Sequence, residues 1–86
     1  MFERIPIRAG CNRWRVAELA GLLLDQMGKE LGKGILEQLP SGYIHKDLYA
    51  QLSRWVNPDA PRPEVQPIAE AISYELFGTA ISRVRP

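Results

Sequence analysis

The chain has 86 residues, 45% of them apolar and 24% charged, which is near the globular average, so one folded domain is expected rather than a disordered segment. Eleven Lys and Arg against ten Asp and Glu leave +1, so bulk charge selects no polyanionic partner and only a local cluster can. One cysteine, Cys11, and one histidine, His45, exclude a disulfide framework, a Cys-based zinc site and a hydrolytic triad.

A domain this small buries only roughly 60–65% of its unfolded surface, so its core is thin and a second copy would help it. No apolar run approaches the roughly 18–20 residues of a bilayer span, and Leu22-Leu23-Leu24 is the longest strongly apolar stretch. Residues 1–6 lack the apolar core of a signal peptide. With the lone cysteine, this predicts a reducing, cytoplasmic setting. Gly28, Gly32 and Gly34 crowd together, but Lys29-Glu30-Leu31 between them put a carboxylate where a bound phosphate would sit. No enzymatic activity, cofactor or metal is expected.

Arg4, Arg8, Arg13 and Arg15 open the chain against one acid, Glu3. Pro6 and Gly10 argue against a long helix there, so residues 1–12 read as an arm. Phe2, Ile5 and Ile7 fit a short edge strand or a packed arm. A helix starts at Asn12 or Arg13, with Asn12 as its N-cap. Val16, Leu19, Ala20, Leu23 and Met27 share one face, with Glu18, Asp25 and Lys29 opposite. Trp14 and Leu22 project from the polar stripe. Either another segment covers them or they form a dimer contact.

The three glycines are expected to loosen the chain. Residues 33–39 then read as a short helix ended by Pro40, with Ser41-Gly42 as a turn. Across 43–56 a wheel gathers Ile44, Leu48, Leu52, Trp55 and Val56 on one face. Tyr43, Lys46, Ala50, Ser53 and Arg54 lie opposite. His45 borders the apolar face and reads as a partly buried histidine. Asn57-Pro58 stops the helix, and 57–63 is a proline-stiffened loop. A last helix covers 65–77, with Pro67 in its first turn, Ile68, Ile72 and Leu76 at i+4, and Gly78 closing it. Residues 79–86 are a tail. The sum is an all-α, four-helix bundle in a single domain, with short terminal strands as an option.

The polar face of 43–56 suits a major groove. Ala50 and Ser53 let the backbone approach, Lys46 and Arg54 hold phosphates, and Tyr43 and Tyr49 supply hydroxyls. An ordinary solvated helix face is the bland alternative.

Gln51-Leu52-Ser53-Arg54-Trp55, a loop with prolines and a basic residue, then Ile68-Ala69-Glu70-Ala71-Ile72 and Glu75-Leu76-Phe77 follow in a familiar order. This stretch, about 48–77, resembles the second half of the lambda-repressor-like helix-turn-helix motif of phage regulators of the Cro/repressor type. The first half departs from that pattern. Counting back from Leu52, the family's small residue and glycine fall on Gly42 and Lys46, so an expanded turn around Pro40-Ser41-Gly42 is needed. The resemblance implies that Leu52 and Trp55 anchor the core, that Ser53 and Arg54 face the groove or a phosphate, and that Arg62 reaches a phosphate. Lys46, Tyr49 and Ala50 lie on the groove face by the wheel. The implied protein is a dimeric, sequence-specific DNA-binding transcriptional regulator of phage or mobile-element type, its two 43–56 helices roughly 34 Å apart in successive major grooves. The rival is a small helical module that binds a host protein and no nucleic acid. A groove reader should show Lys46, Arg54 and Arg62 on one face free of carboxylates, whereas an adaptor should show an apolar patch. Asp47 and Glu64 are close enough in sequence to neutralise those cations.

Overall fold

A computed structural model describes residues 4–27, 29–56 and 62–78. The elements are β1 (Arg4–Pro6), α1 (Arg13–Met27), α2 (Lys29–Gln38), a 3-10 turn (Leu39–Ser41), β2 (Tyr43–His45), α3 (Lys46–Val56) and α4 (Gln66–Phe77). The four expected helices are present, together with a two-stranded antiparallel sheet.

α1 forms as its pattern requires. The Asn12 side-chain oxygen accepts the Arg15 N–H at 3.1 Å, satisfying a donor that the first turn leaves unpaired. Val16, Leu19, Ala20 and Leu23 are buried against α2 and α4. α4 likewise starts with Pro67 in its first turn and ends at Gly78, whose φ of 79° lets its N–H reach the Tyr74 carbonyl at 2.9 Å.

Two boundaries differ from the sequence expectation. The helix expected at 33–39 spans Lys29–Gln38, so Gly32 and Gly34 sit inside it rather than loosening the chain. Packing explains this. A Cβ on Gly32 would lie 2.7 Å from the Ala20 carbonyl oxygen, and one on Gly34 would lie 3.0 Å from a Leu48 methyl. These glycines let α2 approach α1 and α3 closely, which offsets their poor helix propensity.

The helix expected at 43–56 begins only at Lys46. Residues 43–45 instead form β2, paired with β1 in the register Arg4 with His45, Ile5 with Ile44, and Pro6 with Tyr43. Ile44 serves the core from a strand as well as it would from a helix, because alternation sends it inward and its neighbours outward. An isolated two-stranded ribbon is marginal. This one is held by Ile44 and Ile7 in the core and by the Ile7 N–H bonding the Gly42 carbonyl at 2.9 Å.

The N-terminal segment is therefore more than an arm. The Arg8 N–H bonds the Leu76 carbonyl at 2.8 Å, its Nε donates to the Glu75 carbonyl at 2.9 Å, and the Asn12 N–H donates to the Glu75 carboxylate at 3.2 Å. The core runs through every element but β1, joining Val16, Leu23, Ile35, Ile44, Leu52, Ile72 and Leu76. Phe2, most of the loop at 57–63 and the tail at 79–86 lie outside the described residues. Among the described residues, no helix is long and apolar enough to cross a membrane.

Candidate interaction surface

The inner face of α3 is Leu48, Leu52 and Val56, all buried. The same four-residue step puts Lys46, Ala50 and Arg54 in one exposed column on the far side, with Asp47 and Gln51 exposed beside it. Arg54 makes no ion pair among the described residues. Ala50 leaves a methyl-sized step between the two cations.

The other two candidates on this helix sit on its shoulders. Tyr49 is half-buried, its ring 5.2 Å from that of Phe77 in an edge-on contact between α3 and α4. Ser53 is also half-buried and donates its hydroxyl to the Ala50 carbonyl at 2.8 Å, an intrahelical bond that takes up its one donor. Trp55 is half-buried and packs on the core rim, with Leu52 fully inside.

Arg62 is already engaged. Its Nε donates to the Glu64 carboxylate at 2.9 Å. Glu64 is held below its usual carboxylate range, first by a backbone hydrogen bond and second by the Arg62 side chain. The face is thus not free of carboxylates. Asp47 shares it, and Arg62 has a neutralising partner.

His45 does not border the apolar face. It points outward from β2 and is exposed, because strand alternation replaces the helical wheel there. Its Nδ1 accepts the Asp47 N–H at 3.1 Å, so it caps α3, and its own N–H donates to the Gln38 side-chain oxygen at 2.6 Å. Tyr43 leaves the helical face for the same reason and points out with it, under the Arg4 guanidinium at 5.8 Å from the ring centroid. The Arg13 guanidinium lies 3.9 Å from the Cβ position of Gly42, beside the start of β2. The wheel missed this grouping of Arg4, Tyr43 and His45 on the ribbon. Its sequence signal was the alternation Tyr43-Ile44-His45 combined with the arginine-rich opening.

On α1, Trp14 is 79% exposed and Leu22 47% exposed, so neither is covered by another described segment. They stand two turns apart with Glu18 between them, itself 3.8 Å from Arg15. Cys11 is half-buried against the core, and its thiol is pushed up, chiefly by burial and then by the Glu75 carboxylate. That suits a packed residue rather than a nucleophile. Among the described residues, no group of three or more His, Cys, Asp and Glu is placed to hold a metal ion. No family model, curated protein or solved structure matches this chain.

Proposed function

We propose that this protein is a DNA-binding transcriptional regulator that lays the outer column of α3 into a major groove. The observation that carries this reading is the exposed series Lys46, Ala50, Arg54 on a helix whose opposite face is wholly committed to the core. A small residue between two cations lets the backbone approach while the charges meet phosphates or a guanine edge. The turn and strand between α2 and α3 take the place of the short turn in a helix-turn-helix, and Arg13 flanks them as a phosphate contact. Arg62 drops to a minor role because Glu64 neutralises it, and Tyr49 and Ser53 shape the helix rather than read bases.

The test is binding to fragments retained from mixed genomic DNA, at low and moderate salt. Arg54→Ala is expected to cost about 1–3 kcal/mol on the preferred site and little on random DNA. Wild-type protein that shows no salt-dependent binding to any fragment overturns the reading.

A second reading has its own support in the exposure of Trp14 and Leu22, which suits a protein partner. Within the regulator reading that partner is a second copy, and within the rival it is a host protein. Sedimentation at micromolar concentration separates the two: a dimer that Leu22→Glu dissociates supports self-association. A monomer insensitive to the substitution removes it.

A further inference from the structure

α1 carries its charges at the ends its own dipole disfavours. The backbone dipole of a helix is positive at the start, where acids are favoured, and negative at the end, where bases are favoured. α1 has no acid in its first turn and no base in its last. Arg13 and Arg15 stand at its start and Asp25 near its end, all three exposed. Contacts within the chain offset little of this. Arg15 reaches Glu18 at 3.8 Å, an exposed pair, and Asp25 makes no ion pair among the described residues.

Between the charged ends lies exposed apolar surface. Trp14, Glu18 and Leu22 follow one another at i+4, so they form one outer column with Glu18 midway. Turned end for end, the column presents leucine where tryptophan stood, and the acidic end where the basic end stood. A face that complements its own reversal is what a two-fold interface requires, since residue i of one copy meets residue j of the other and j meets i. The thin core of so small a domain gives a second copy further value.

We infer that α1 pairs with the α1 of a second copy, antiparallel, about a two-fold axis at Glu18. The pairing rests on the self-association through Trp14 and Leu22 set out above and adds its geometry; it is independent of DNA binding. Trp14 of each copy meets Leu22 of the other, and Arg13 and Arg15 of each come beside Asp25 of the other. Each helix dipole runs against its neighbour's, so the cationic start of one α1 faces the negative end of the other. The aromatic contacts carry the affinity and the rim charges fix the direction. Glu18 is the unfavourable element, because it meets its own copy at the axis.

Sedimentation equilibrium of the full chain across micromolar concentrations tests the pairing. Glu18→Gln removes the carboxylate pair at the axis and should tighten the dimer a few-fold. In that background Arg15→Glu and Asp25→Arg should each weaken it about tenfold, because the axis repeats every new like-charge pair. Both changes in one chain rebuild the pairs with their signs exchanged and should bring the affinity back. Each reversal puts a charge at the helix end that the dipole favours, so the monomer keeps its fold, which circular dichroism checks. A dimer that Leu22→Glu dissociates, but that Glu18→Gln does not tighten, overturns the axis at Glu18 and leaves self-association standing. So does a dimer indifferent to the single reversals, as parallel helices would be, or one that the double reversal does not restore. A chain that stays monomeric at every concentration overturns both and leaves the outer face of α1 to the host protein of the rival reading.

Discussion

α1 and α3 are built alike on the inside and unlike on the outside. Val16, Leu19, Ala20 and Leu23 on one, and Leu48, Leu52 and Val56 on the other, fill the same core. Outward, α1 shows water a tryptophan and a leucine, whereas α3 shows lysine, alanine and arginine. Core packing dictates the inner faces, and nothing in the fold dictates the outer ones. The outer residues are therefore where folding is silent and contact with other molecules has room to choose, apolar on α1 and cationic on α3.

The sharpest way to break this contrast is from the inside. Leu52→Ala removes a fully buried side chain at the centre of α3 and should cost about 2–5 kcal/mol, enough to unfold much of the population of a domain this small. Urea denaturation measures it. A midpoint close to wild type would mean that the inner face of α3 is not the core.

Next in size comes the seam between α1 and α2. Gly32→Ala forces a methyl to within 2.7 Å of the Ala20 backbone oxygen, which cannot swing aside. About 1–3 kcal/mol of overpacking should outweigh the helix propensity gained. The mirror experiment is Gly21→Ala on the outer side of α1, where nothing lies within 4 Å of the new methyl. There the propensity gain acts alone, and stability should rise by about 0.5–1 kcal/mol. The two substitutions are chemically identical, so opposite shifts in the thermal midpoint would isolate packing as the cause. Two shifts of the same sign would refute the close approach at Gly32.

The smallest effects sharpen the contrast from the outside. Trp14→Ala and Arg54→Ala should each leave stability within about 0.5 kcal/mol of wild type. A large loss at Trp14 would show that it packs on this chain after all, and α1 would lose its apolar outer face.

These outcomes also mark where the sequence was legible. Period and caps carried α1 and α4, because Asn12, Pro67 and Gly78 act locally and their helices need no distant partner to declare themselves. Ile44 was ambiguous: it stands four residues before Leu48 and so fits a helical stripe, yet equally fits an inward strand position. Only pairing with Arg4–Pro6, far away in sequence, decides for the strand, and no local window holds that information. Gly32 and Gly34 misled for the same reason. Propensity sees a missing side chain, whereas the deciding fact is what would collide with it. In the candidate surface, Lys46, Ala50 and Arg54 are exposed on the face the wheel gives them. Tyr43 and His45 moved off the helix with β2, and Arg62 was claimed by a carboxylate two residues on.

The ties of the N-terminal segment set an order of events during synthesis. β1 leaves the ribosome first, yet its partner strand β2 is made only after α1 and α2. The Arg8 amide waits longer still, until Leu76 near the end of α4 has been made. Among these elements β1, made before the others, is thus tied down by contacts made last, and the closure between Arg8 and Leu76 comes late. Until then Arg8 and Asn12 lack the Leu76 and Glu75 groups that hold them.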